Sequence, residues 1–330
     1  MTTPSIGLGV VTYNSLRHID ACLESVLLAT QGLEADVVVV DNASPDGTAA
    51  HLQEHWAPRG VRVIALTAND GYGAGVNTIA RSVKGDVLAF LNPDLVLQAE
   101  TLRTGLDYMA THQHVGLSGG ELVDADGKST LVYGALPTPW RLYYMYSGLR
   151  RILNVASWTM GKGLNPNARQ PIEVGYPCGA LWFVRRAAWE EIGQFDERYF
   201  LYFEETDWAT RCHKTHWKVM VNPQIRAMHE GAGSTPKSLE AQNVMFTRFF
   251  RSAFQYLAKH YGIPASRRTY RWLLATLHFK QALLDLFASN PIRESQLIIR
   301  TGVERNQEFV MGPELSGDPA PVSRVLRQMQ

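Results

Sequence analysis

Residues 195–211 set five carboxylates, Asp196, Glu197, Glu204, Glu205 and Asp207, around an aromatic and aliphatic run at 199–203. The run favours burial, so the three acids that follow it sit at the rim of whatever it buries. At such a rim the charged form of a carboxylate is disfavoured, which suits it to general-base work. The same acids also fit an ordinary helix start. They complement the dipole in a first turn, and Asp207 and Arg211 have the i,i+4 spacing of an ion pair. Glu204 and Asp207 share a helix face, while Glu205 is turned from Glu204 by about 100°. Arg211 neutralises Asp207 and makes it a poor base, whereas Glu205 has no such local partner. Glu205 is therefore the expected base, and Glu204 a helix-start or acceptor contact.

Something upstream must hold a substrate for that base to face. The first 120 residues alternate short apolar runs with helical spacing. Strands are expected at 6–12, 36–40, 61–66 and 86–91, and helices at 17–30, from Ser44 or Pro45 to about 55, up to 83, and at 98–112. Such β-α units build an α/β sheet covered on both faces, whose ligands lie beyond the carboxyl ends of the strands. That rule selects Thr12 and Asn14, Asp41, Asn69 with Gly71, and Asn92 with Asp94 as one crevice. Further strands are expected at 115–123, 129–133, 173–176, 179–184, 217–221 and 225–229, and a helix at 204–214. A long connection at 134–172 has the length of a lid or binding loop. From about 238 the chain reads as helical.

Composition narrows the function class. With 330 residues, 45% hydrophobic and 19% charged, the chain is an ordinary globular one. A net charge of +1 gives no field for nucleic acid. Cys22, Cys178 and Cys212 form no disulfide framework or metal motif. No signal peptide is read at the start, and no run reaches the roughly 20 apolar residues of a membrane span. A cytoplasmic protein is expected, free to lie on the inner face of the membrane.

In sequence order, the residues at 10–14, 38–44, 69–77 and 91–94, together with Phe195-Asp196-Glu197, resemble family 2 glycosyltransferases, nearest to bacterial rhamnosyltransferase-like enzymes of surface-polysaccharide assembly. The resemblance covers about residues 5–235. It implies the GT-A fold, a Rossmann-like, mainly parallel sheet with helices on both faces. The corresponding division is a nucleotide-sugar-binding half at 1–115, an acceptor half at 116–235, a helical extension at 236–311 and a loose tail at 312–330. The implied reaction is inverting transfer from a dTDP- or UDP-linked sugar to a hydroxyl of a saccharide or polyprenyl-linked acceptor. Asp94 resembles the metal-binding acid of the family's Asp-x-Asp motif, with Asn92 standing where its first acid would be, and His229 resembles a late metal ligand; the metal is Mg²⁺ or Mn²⁺. Asp41 matches the acid that contacts the nucleobase. The loop with Gly179, Ala180 and Trp182 resembles the acceptor side, where Trp182 would stack on a sugar. The family's usual second acid is Asp, and this chain carries Glu205 there, one methylene longer.

Other readings differ in what they need. A nucleotidyltransferase requires a basic phosphate loop near the first strand, where Arg17 stands alone. A non-catalytic nucleotide-sugar-binding scaffold would tolerate the change at Glu205. The basic and aromatic C-terminal helices suit an anionic membrane surface, packing on the core, or a homodimer.

Overall fold

The structure, a computed structural model, describes residues 4–130, 132–149, 164, 169–230, 238–287 and 290–316. The loop at 231–234 and most of the expected loose tail lie outside them. The first units follow the apolar pattern: β1 (Ile6–Thr12), α1 (Ile19–Ala29), β2 (Ala35–Asp41), α2 (Thr48–His51), β3 (Arg62–Ala65), α3 (Tyr72–Ser82) and β4 (Val87–Leu91). The second helix starts later than Ser44 or Pro45 and is shorter than expected, giving way to a π-helical turn at Leu52–Trp56. Asp46 accepts from the Thr48 N–H and hydroxyl, closing a turn through Gly47 that delays the helix to Thr48.

Beyond β4 come β5 (Leu95–Leu97), α4 (Thr101–Thr111), β6 (Val115–Val123), β7 (Tyr133–Gly134), α5 (Pro139–Ser147), β8 (Ile172–Glu173), β9 (Tyr176–Pro177), β10 (Leu181–Arg185), α6 (Arg186–Ile192), α7 (Glu204–Cys212) and β11 (Lys218–His229). The two strands expected at 217–221 and 225–229 are one, with a bulge between Asn222 and Arg226 that absorbs the intervening residues. The C-terminal helices are α8 (Leu239–Tyr261), α9 (Ile263–Phe287), α10 (Asn290–Glu304) and α11 (Gln307–Met311).

Nine strands form one sheet in the order β3-β2-β1-β4-β10-β6-β11-β5, with β8 alongside β11. β1 to β4 are parallel. β10 is antiparallel to both β4 and β6, so β6 and its parallel neighbour β11 run the same way as β1. β5 and β8 are reversed against β11. These reversals decide what meets at the ligand edge. The start of β10, not its end, lies beside the end of β4, with Leu181 opposite Leu91. The start of β5 lies beside the end of β11, with Leu95 opposite His229.

Residues 195–203 cross this edge as a tether between sheet and helices. The Phe195 N–H donates to Asn77 Oδ1 at 2.9 Å, and Asn77 Nδ2 donates back to the Phe195 carbonyl at 3.0 Å. The Tyr72 N–H donates to the Phe200 carbonyl. On the other side Ser252 of α8 donates to the Leu201 carbonyl, while Tyr199 and Phe203 enter a second apolar cluster built mainly by α8 and α9.

Gly71 makes that close approach possible. Its φ is +98°, and a Cβ there would lie 2.2 Å from the Phe200 oxygen. Gly71→Ala is expected to cost about 2 kcal/mol or more, from backbone strain plus overlap. The measurement is the urea midpoint at unchanged slope, and a midpoint equal to the parent's removes the packing role.

Candidate active site

Asp94 and His229 illustrate how topology assembles the edge. Asp94 precedes β5, His229 ends β11, and their antiparallel pairing sets His229 Nε2 3.2 Å from Asp94 Oδ1. The Glu230 N–H fastens the junction by donating to the Asp94 carbonyl at 3.0 Å. Asp94 Oδ1 is buried and has no hydrogen-bond partner, so the contact is one of charge and distance rather than a formed hydrogen bond. Burial pushes the Asp94 carboxyl up, but the imidazole beside it more than offsets this and holds it below its ordinary range. An orphaned carboxylate oxygen beside a ring nitrogen is a donor set that fits Mn²⁺ and, less naturally, Mg²⁺. Among the described residues no cluster of three or more His, Cys, Asp and Glu is arranged for a metal. Asp94 and His229 would thus supply two ligands only.

The strand tips are less uniform than their sequence suggests. Thr12 and Asp41 are fully buried. The Asp41 carboxylate accepts from the Thr12 hydroxyl at 2.9 Å, the Ser44 hydroxyl at 2.6 Å and the Ser44 N–H at 2.9 Å. Here it closes a turn, and a nucleobase reaches it only if Ser44 gives way. Asn14 lies on the open side in a left-handed conformation, φ +54°, as does Ala43 at +56°. Such strain in non-glycine residues clusters at ligand sites. Tyr13, between Thr12 and Asn14, is the exposed ring at this tip. Asn69 accepts from the Gly71 N–H, and the Gly71 carbonyl accepts from Asn42. Both backbone groups of Gly71 are thereby used within the fold. Its expected approach to a ligand gives way to its approach to Phe200.

Asn92 reaches across to the reversed strand, its N–H donating to the Ala180 carbonyl at 2.9 Å. This draws the Gly179–Ala180 turn beside the β4 tip. Trp182 corrects an expectation. It is buried in the core, 5.6 Å from the Phe195 ring and 5.9 Å from the Trp208 ring, because β10 is covered on both faces. It has no face for a sugar.

α7 begins after two residues with positive φ, Tyr202 at +68° and Phe203 at +70°. This kink lets the aromatics enter the helical cluster while the acids turn back to the sheet. Glu205 packs against Gly179, its Cγ 3.5 Å from where a Cβ would stand. Glu204 is buried beside Gly73 and Phe195. Each has a buried Oε2 without a hydrogen-bond partner. Burial raises both carboxyls, and the charge of Glu205 raises Glu204 further, so the pair tends to keep a proton. Asp207 has the opposite surroundings. Burial pushes it up, but His260 at 2.8 Å, Lys259 at 2.7 Å and Arg211 at 3.0 Å outweigh this and hold it ionised.

Sequence reasoning found Arg211 by its spacing but missed Lys259 and His260, which no local pattern ties to Asp207. It also gave Tyr72 no role. The Tyr72 hydroxyl donates to the Gly179 carbonyl at 3.2 Å. Burial, then the charges of Glu204, Glu205, Cys178 and Asp94, raise its pKa and keep it protonated. Tyr72 therefore lies within electrostatic reach of both the acidic pair and Asp94, and its place between Gly71 and Gly73 was the available signal.

The raised Glu204 sets a pH dependence. Below its ordinary value of 4.5 the folded and unfolded chains both carry the protonated acid. Above it the unfolded chain ionises first, and the folded state loses stability until its own raised value is passed. Glu204→Gln is expected to raise the melting temperature by about 2 °C or more at pH 8, the gain vanishing at pH 4. A gain that persists at pH 4 contradicts the assignment.

The comparisons with known proteins agree with this architecture. Residues 8–193 match glycosyl transferase family 2. The chain is 30% identical over 243 residues to the N-acetylglucosaminyl-diphospho-decaprenol L-rhamnosyltransferase of Mycobacterium tuberculosis, covering 68% of this chain and 76% of that protein. It is 32% identical over 131 residues to the succinoglycan biosynthesis protein ExoO of Rhizobium meliloti, covering 39% and 37%. A mannosyltransferase from Pyrobaculum calidifontis in complex with GDP-Man and Mn²⁺ superposes with a TM-score of 0.55 at 16% identity, over 93% of this chain and 88% of that one. GalNAc-T7 with UDP, GalNAc and Mn²⁺ gives 0.55 at 14%, over 78% and 48%. The chain belongs to glycosyl transferase family 2 and is a glycosyltransferase of the GT-A fold.

Proposed function

We propose that the chain transfers a sugar, rhamnose by analogy with its mycobacterial relative, from a nucleoside-diphosphate donor to a hydroxyl of a lipid-linked saccharide, with inversion. The observation that carries this reading is the pair of unpartnered buried oxygens on Glu204 and Glu205 of α7, with Glu205 against Gly179 at the edge that also carries Asp94 and His229. The reading treats residues 1–235 as the transferase unit and 236–311 as its helical extension.

Asn14, Asn69 and Asn92 line the donor side, and Thr12 with Asp41 keeps the turn beneath the nucleoside in shape. Asp94 and His229 would hold a divalent cation, whose chemistry is to offset the charge that builds on the departing diphosphate. The acceptor hydroxyl enters over Gly179, where the missing side chain leaves room beside Glu205. Glu205 takes its proton as the new bond to the anomeric carbon forms and the bond to the diphosphate oxygen breaks. Glu204, more buried and keeping a proton, turns Glu205 into the ionised member of the pair. Tyr72 holds the Gly179 turn in place through its hydrogen bond.

Glu205→Gln should lower turnover by about 10²–10⁴-fold, the usual contribution of a general base, while donor affinity measured by calorimetry stays within about threefold. Asp94→Ala should lose turnover together with the metal dependence of donor binding. Asp207→Asn should lower stability and leave the folded fraction active. An active Glu205→Gln beside an inactive, folded Asp207→Asn would overturn the base assignment.

A further inference from the structure

Helix α9 is apolar on two opposite sides, and only one of them is covered. Tyr270, Leu273 and Leu277 are buried in the cluster with α8 and α5. At about 100° per residue, Trp272, Phe279, Leu283 and Leu286 fall within an arc of about 60° on the far side. They are 51%, 67%, 44% and 70% exposed. Their spacing is that of a second helical stripe, and a scatter of surface residues does not produce it. The stripe widens onto α5. Tyr143 of α5 shares a 2.8 Å hydrogen bond with Thr276 and meets the Trp272 ring edge-on, and the exposed Trp140 continues the aromatic surface.

The charges around the stripe choose the occupant. Within residues 263–287 the basic side chains are Arg267, Arg268, Arg271 and Lys280, and the one acid is Asp285. Arg267 is spent on the carbonyls of Val310, Met311 and Gly312. Arg268 lies over the Trp272 ring at 5.5 Å, and both Arg268 and Arg271 are exposed at the N-terminal end of the stripe. Asp285 lies on the flank and accepts from Gln281. A two-fold contact through this face would bring like charges together, whereas an anionic surface is complementary to it. Among the described residues no helix is long and apolar enough to cross a membrane.

We infer that this face of α9, extended by Trp140, seats the enzyme in the interface of an anionic lipid bilayer, with Phe279, Leu283 and Leu286 among the acyl chains and Arg268 and Arg271 at the headgroups. Aromatic and long apolar side chains on a helix lying in the membrane plane, with arginines at their edge, are the components such binding needs. The inference deepens the lipid-linked acceptor reading, since a bilayer-seated enzyme meets its acceptor at the surface that carries it. Its test needs neither donor nor turnover, so it fails separately from that reading.

The experiment is flotation of the full chain with vesicles of phosphatidylcholine alone and of phosphatidylcholine with about a third phosphatidylglycerol, at low and high salt. The wild type is expected to float with the anionic vesicles, and weakly with the neutral ones or at high salt. Phe279→Asp with Leu286→Asp should lower partition about tenfold or more, and Arg268→Glu with Arg271→Glu about tenfold. Melting temperatures should stay within about 2 °C of the parent, because all four side chains face solvent. If the apolar variant does not fold, the arginine variant alone decides. A wild type that stays with the soluble fraction overturns the inference, as does a folded variant that floats like the wild type. So does light scattering that shows a dimer split by the apolar variant while flotation persists, which would assign the face to a second copy.

Discussion

Phe195 exchanges two hydrogen bonds with Asn77, and five residues later the Phe200 carbonyl takes the Tyr72 N–H against the bare Cα of Gly71. These contacts pin the acidic segment to the first turns of α3. From the other side Tyr199 and Phe203 are drawn into the helical cluster, and Ser252 holds the Leu201 carbonyl. A segment held on both sides can carry two left-handed non-glycine residues, Tyr202 and Phe203, whose strain would be released in a free loop. The kink they form is what points Glu204 and Glu205 back at the sheet edge. The placement of the acidic segment therefore depends on the C-terminal helices as much as on the sheet.

The charge arrangement follows from the same docking. Three acids in one helical turn would repel each other if all were treated alike. The fold separates them by environment. Asp207 meets Arg211, Lys259 and His260 and stays ionised, which ties α7 to α8. Glu204 and Glu205 meet a glycine, aromatic rings and each other, and are pushed upward. Carboxylates pushed apart in this way can divide structural and acid–base roles among themselves. The buried ion cluster ties α7 to α8, and Glu204 and Glu205 each keep one buried oxygen without a hydrogen-bond partner.

The pair proposed to hold a cation is assembled differently. Asp94 and His229 are remote in sequence and sit at opposite ends of their strands. Only the reversal of β5 against β11 makes them neighbours. The reversal of β10 likewise brings Gly179 and Ala180, just before that strand, to the edge where β1, β2 and β4 end. One sheet edge thus gathers polar residues from distant parts of the chain.

Much of this was readable from residues alone, wherever the information is local. The apolar runs of β1, β2, β4 and β6 announce themselves because a strand buried on both faces has no polar alternation to hide it. The polar tips and the acidic segment were found by type and position, and Asp207 with Arg211 by helical spacing. What needed the tertiary structure is every fact that depends on distant chain. Whether Asp41 is open or closed depends on Ser44 and Thr12. Whether Trp182 faces a sugar or the core depends on Phe195 and Trp208, which pack on its ring. Whether Gly71 admits a ligand or a backbone depends on Phe200, and the partners of Asp207 come from α8. Composition and periodicity report how a residue relates to its own element. Which of two acids keeps a proton is set by neighbours that only packing brings within a few ångströms, because electrostatic and desolvation effects depend on distance and burial in space, whatever the separation along the chain.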